Sequence, residues 1–211
     1  MFADYRGSFP TLTISGIFDE LIEKIEERRR QANEDFLPIN GQSVCEYANM
    51  EFGWLSVSTN GCAAIAIYNA LGFTGQAVYF SDVIKQLDSW HRPRFFGVMP
   101  GEIGNCLANF GASFTEADSI SELELLMENG GVAIVTRWNR TSVRSLTMLY
   151  PILYESVDVS GGAHTMAVVH DGNGNYTVYN RYSNKPISYP YDSLEEFIGS
   201  EVRYVAGFYL G

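Results

Sequence analysis

The run Gly61-Cys62-Ala63-Ala64-Ile65-Ala66-Ile67-Tyr68-Asn69-Ala70-Leu71 limits the possible folds of this chain more than any other segment. Its alanines favour a helix, and its apolar residues go round that helix instead of along one stripe. Such a helix has no wet face and must be enclosed by the rest of the chain. Gly72 reads as its C-terminal cap. Enclosing a helix takes a sizeable core. At 211 residues the chain is about one domain with elaborations, at roughly 150 residues per domain. A domain of this size hides on the order of 70% of its unfolded surface. With 46% hydrophobic and 18% charged residues, a disordered chain is excluded.

Other helical signals precede and follow this run. Ser15 to Asn33 carries Ile17, Leu21, Ile22 and Ile25 on one stripe, with Glu20–Lys24 and Glu26–Arg30 as i,i+4 pairs on a wet face. Arg28-Arg29-Arg30 is offset by Glu26 and Glu27 and suits a solvated helix end. Leu37 to Gly41 reads as a turn, and residues 42–60 as irregular. Ser81 to Trp90 reads as an amphipathic helix with Ser81 as N-cap, and Glu102 to Phe110 as another stopped by Gly111. Ser121-Glu122-Leu123-Glu124 reads as a capping box opening a short helix that Gly130-Gly131 ends. The period then changes. Val132 to Thr136, Leu146 to Tyr154, Thr165 to Val169, Tyr176 to Asn180 and Tyr204 to Leu210 read as strands, with a turn at Asp171–Asn175 and a short helix at Ser193–Ile198. Helices first and mainly antiparallel strands afterwards is the α+β pattern.

Charge and cysteine use narrow the function. The formal net charge of −11 disfavours nucleic-acid binding, because phosphate backbones would be repelled. No uncharged apolar run approaches the roughly 20 residues of a membrane helix. The segment Met1 to Arg6 lacks the basic and apolar regions of a secretion signal, so a cytoplasmic location is expected. Cys45, Cys62 and Cys106 are odd in number and widely spaced, which argues against a disulfide framework or a zinc site and leaves a thiol for chemistry.

Three residues form a candidate chemical constellation. Cys62 opens a helix, whose unpaired N–H groups and partial positive charge favour a thiolate. His164 opens a strand and can complete activation as a thiolate–imidazolium pair. Asn180 lies sixteen residues on, where a hairpin brings it alongside the His-bearing strand. Its side-chain oxygen can accept from the ring N–H and fix the tautomer. Gly61 leaves room for a substrate backbone. His170, at the far end of the same strand, and His91, at a helix end, are the competing histidines. Cys45 and Cys106 read as packing residues.

Residues 56–182 resemble the papain-fold cysteine peptidases, and among them the bacterial C39-like group. Asn60 to Leu71 is similar to that family's nucleophile helix. Met99-Pro100-Gly101-Glu102-Ile103 with Leu107 to Gly111 resembles the helix after it. Ser119 to Leu123 with Gly130 to Val135 resembles the short helix leading into the first core strand. Gly161 to Val169 and Tyr176 to Asn180 resemble the His strand and its partner. The resemblance implies one papain-like domain over 1–211. It would comprise an N-terminal helical extension (1–40), a helical subdomain (41–130) carrying the nucleophile helix, and an antiparallel sheet subdomain (131–211). It also implies a Cys62-His164-Asn180 triad that hydrolyses a peptide or amide bond through a thioester acyl-enzyme, with no metal and no cofactor. Three positions depart from the family pattern. Ala63 stands where many members have Gly. Asn180 stands where Asp is frequent. No Gln occupies residues 56–60, where the family's Gln helps hold the oxyanion, and the nearest upstream is Gln42. The Cys62 N–H supplies one oxyanion donor, leaving Asn60, Ser58 and Ser56 as candidates for the other. Loss of one such donor typically costs on the order of a hundredfold in rate.

Trp54 and Trp138 are candidate walls of a substrate groove, with Gly61, Gly162 and Ala163. Arg137 to Arg144, the one locally basic segment, is a candidate loop for an acidic or carboxylate group of the substrate. The expected partner is a peptide or protein substrate. Two alternatives remain open at this level: an acyltransferase on the same fold, and a peptide-binding relative that does not cleave. For the N-terminal helix, docking on the catalytic unit is expected over covering the groove or recruiting a partner.

Overall fold

A computed structural model describes residues 20–28, 36–88, 97–142 and 158–211. Its elements run in the order α1 (residues 20–28), β1 (Glu51–Phe52), β2 (Leu55–Ser56), α2 (Val57–Asn60), α3 (Cys62–Phe73), α4 (Phe80–Asp88), α5 (Pro100–Asn109), β3 (Thr115–Ala117), α6 (Ile120–Leu126), β4 (Gly131–Ser142), β5 (Asp158–His170), β6 (Tyr176–Tyr179), β7 (Tyr189–Tyr191), α7 (Leu194–Ile198), a 3-10 turn (Glu201–Arg203) and β8 (Tyr204–Leu210). The fold is mixed α+β. Its main sheet has six strands in the order β3-β8-β4-β5-β6-β7, each neighbouring pair antiparallel.

Strand alternation gives this sheet two apolar faces. Val132, Ile134, Phe208 and Leu210 face the cluster that contains α3, α4 and α5. Ala133, Val135, Met166, Val168 and Val178 face a second cluster with α6 and α7. A sheet covered on both sides explains why β4 reads as a nearly continuous apolar run. The enclosed helix is α3, in which every residue from Ala63 to Leu71 is buried. Two contacts fix its ends. Asn69, fully buried, accepts from Ile39 N–H and donates to the Ile39 carbonyl, both at 2.8 Å. The rings of Phe73 and Tyr179 lie 4.6 Å apart and join α3 to β6.

Several local expectations change. Gly72 lies within α3, and a methyl group there would stand 2.1 Å from the Phe36 ring, so packing requires glycine and the helix runs on to Phe73. The N-cap of α6 is Ser119, which accepts from Glu122 N–H at 3.1 Å. Ser81 lies within the first turn of α4, not before it, and its N–H and hydroxyl both donate to Glu26. Glu26 is therefore buried against α4 and not on a wet face, while Glu20–Lys24 forms as expected at 2.6 Å. With Ile22 also buried and Lys85 bonded to Glu23, α1 docks on α4. Residues 137–142 continue β4, paired with β5, so this part of the basic segment is strand and not loop. The segment Leu146–Tyr154, His91 and Arg144 lie outside the described residues. Among the described residues no helix is long and apolar enough to cross a membrane.

Candidate active site

Val57–Asn60 forms one helical turn, Gly61 breaks it, and α3 starts at once with Cys62. The break is tight. A methyl at Gly61 would lie 2.5 Å from the Val57 side chain. Gly61 is buried and needed for this junction, and it does not line the substrate cleft. The N-cap of α3 is Gly61, which has no side chain to cap the first turn, and the Cys62 and Ala63 N–H groups lie at the thiol.

Cys62 lies on a cleft of about 540 Å³. Asn60, Trp138, Gly162 and Ala163 line it as well, together with Val98, Met99 and Thr136. Of the residues expected around the substrate, Trp54 is elsewhere, 70% exposed at the β1–β2 turn. Of the three oxyanion candidates, Asn60 lines the cleft. Ser56 and Ser58 pair their hydroxyls at 2.6 Å and lie outside its lining. The size and apolar walls suit an organic ligand. Among the described residues no three His, Cys, Asp or Glu side chains converge as metal ligands would.

The thiol is held by the strand that carries His164. Burial pushes the Cys62 thiol pKa up. Hydrogen bonds from Thr165 N–H, from the Ala63 and Cys62 N–H groups and from the Thr165 hydroxyl pull it down without overcoming burial. The Thr165 and Thr136 hydroxyls pair at 3.0 Å. Nothing in the sequence singled out these threonines.

His164 is buried, with Nε2 2.7 Å from the main-chain oxygen of Asn180. A carbonyl only accepts, so Nε2 carries the proton and Nδ1 of the neutral ring is the basic nitrogen. Burial, with Arg137 and Arg181 nearby, pushes the imidazole pKa down to about 4. Cys62 touches β5 through Thr165, the residue after His164, and no hydrogen bond joins thiol and imidazole among the described residues; His164 is not among the residues lining the cleft. Burial thus acts on both groups against the thiolate–imidazolium pair expected from the sequence.

Asn180 orients the ring with its main chain, not with the side-chain oxygen expected from the sequence. Its φ is +58°, the left-handed region that asparagine tolerates better than most residues. The side chain turns to Gln42: Oδ1 accepts from Gln42 N–H at 3.1 Å and Nδ2 donates to Gln42 Oε1 at 3.3 Å. Asn180 N–H donates to Asn40 Oδ1 at 2.8 Å. Gln42 Nε2 in turn donates to the Ser58 carbonyl at 3.0 Å. Gln42 thus takes part in the site from 138 residues away, at a separation that no local pattern reveals.

The other candidates serve the structure. His170 Nδ1 contacts the Met127 carbonyl at 2.6 Å, and its ring stacks on Tyr176. Cys106 is fully buried in the core, and Cys45 packs against it. Arg137 is buried and donates to the Phe197 and Ile198 carbonyls at the end of α7 and to Asn139 Oδ1, so its guanidinium is engaged within the fold. Desolvation first, and Arg181 and Arg203 next, bring its pKa down to about 10.

No protein-family model matches this chain, and no curated protein matches it.

Proposed function

We propose that the chain is a cysteine hydrolase of papain-like fold, similar to the C39-like peptidases, acting on a peptide or amide bond. The observation that carries the reading is the fixed tautomer of His164. Its Nε2–H is committed to Asn180, which leaves Nδ1 as the nitrogen that can accept a proton, on the residue next to the Thr165 that contacts the Cys62 thiol. Cys62 at the uncapped start of α3, on a cleft of ligand size, supplies the nucleophile.

In this reading the Cys62 sulfur attacks the substrate carbonyl carbon while its proton passes to His164 Nδ1. A neutral thiol is activated by an adjacent base at the moment of attack. The bond between thiol and imidazole closes once substrate fills the cleft, as catalytic hydrogen bonds commonly do. The oxyanion receives the Cys62 N–H at the start of α3 and the Asn60 side chain as second donor. The C–N bond then breaks, His164 returns the proton to the leaving amine, and water hydrolyses the thioester.

Incubation with a mixed peptide library tests this. New peptide termini are expected with the native chain and not with Cys62→Ala; their absence from both would overturn hydrolysis. One observation favours a second reading, a groove that binds peptide without cleaving it: thiol and imidazole rest neutral and unbonded to each other. Retention of uncut library peptides by native chain and Cys62→Ala alike would support that reading.

A further inference from the structure

We propose that Gln42 is a positioning residue for the imidazole: by holding both ends of the Asn180 amide, it keeps Asn180 in its left-handed conformation and its carbonyl on His164 Nε2–H. The proposal rests on reading His164 as the base.

The orientation of that carbonyl depends on one backbone conformation. Asn180 is the one non-glycine residue with positive φ among the described residues. Left-handed backbone is unfavourable for an L-residue, so the surroundings must hold it there. Strand pairing does not, because β6 ends at Tyr179. What holds it is polar. Gln42 N–H and Oε1 grip the two side-chain atoms of Asn180, while Asn40 accepts from its N–H. Both members are buried, with Asn180 0% and Gln42 5% exposed. Water is therefore a poor substitute for either partner, and losing one leaves the other unpaired.

Gln42 also faces the other half of the site. Its Nε2 donates to the carbonyl of Ser58 in α2, the turn that leads through Gly61 into Cys62. One side chain thus ties the carbonyl that orients the base to the segment that delivers the nucleophile. This role differs from contact with an oxyanion, since Gln42 is not among the residues lining the cleft.

The ring nitrogens report the outcome by 15N NMR without any substrate. In the native chain His164 is expected as a single Nε2–H tautomer. His170, whose Nδ1 donates to the Met127 carbonyl, is expected as the opposite tautomer and serves as a control for general loosening. Gln42→Met keeps the Gln42 N–H but removes both amide contacts. It is expected to give His164 in mixed tautomers while His170 stays Nδ1–H. Gln42→Glu keeps the acceptor for Asn180 Nδ2 and is expected to preserve the single His164 tautomer. If Gln42→Met fails to fold, Gln42→Ala, which likewise keeps the backbone N–H and removes both amide contacts, carries the test with the same two outcomes. A single His164 tautomer in the breaking variant would overturn the proposal, as would simultaneous loss of order at His170. Because no turnover is measured, a chain that cleaves nothing in the library experiment can still pass or fail here.

Discussion

Cys62 and His164 are held by different kinds of structure. The helix behind Cys62 has nine consecutive buried residues, Ala63 to Leu71, and its place is set by apolar packing. The imidazole of His164, midway along β5, is oriented by its hydrogen bond to the Asn180 carbonyl, and Asn180 is held in turn by Asn40 and Gln42. Packing is non-directional, and many side chains share the work. A polar web is directional, and each member is buried with specific partners. The place of Cys62 therefore depends on the stability of the whole domain, whereas the orientation of the His164 ring depends on a few residues.

The largest effect should come from the packing half. Leu71, fully buried in α3, should cost about 2–5 kcal/mol when cut to alanine, as read by denaturant unfolding. The His164 tautomer in the folded variant should not change. A changed tautomer would show that the two halves are not separable.

The polar half should answer to acid. His164 falls from 6.5 in the unfolded chain to about 4 in the fold, so the unfolded state takes up the proton first. The contribution is fully present above pH 6.5 and is lost as the pH falls through about 4. That gap corresponds to about 3 kcal/mol. In His164→Gln, which keeps an N–H for the Asn180 carbonyl, the loss of stability between pH 7 and pH 4 should shrink by about that amount. An unchanged acid slope would mean that the ring is solvated.

The same contrast decides what was legible in the sequence. The α+β order, α3, and the strands β4, β5, β6 and β8 were readable because local periodicity and burial produce them. Cys62 opens α3 and Asn180 follows the end of β6, as expected, whereas His164, expected to open its strand, lies midway along β5, which starts at Asp158. The identity of the bonds was not legible. Whether Asn180 uses its side chain or its carbonyl depends on a left-handed φ and on Gln42, 138 residues away. Glu26 was expected on a wet face because only its own helix was in view, and its partner Ser81 is 55 residues off. Ser119 and Ser121 flank the same helix start, and propensity does not separate them. The walls of the cleft were half legible, since Trp138 shares strand β4 and its side of the site whereas Trp54 lies in a separate ribbon.

A smaller test lies at α7, whose terminal carbonyls hold Arg137, one of the charges facing His164. Ser193 caps that helix by accepting from Glu196 N–H at 3.2 Å. Ser193→Ala should cost about 1 kcal/mol in thermal unfolding and leave the reactivity of Cys62 unchanged. A changed Cys62 reactivity would extend the polar web to α7.

The account rests on the Cys62 thiol and the His164 imidazole both being neutral before substrate arrives. Alkylation of Cys62 by iodoacetamide from pH 4 to 9, located by peptide mapping with Cys45 and Cys106 as controls, measures this. The predicted rate rises along a curve displaced to higher pH than a small thiol in solution, and His164→Ala barely alters it. A rate already on a plateau well below pH 8, and lost in His164→Ala, would reveal a preformed thiolate–imidazolium pair and contradict the account.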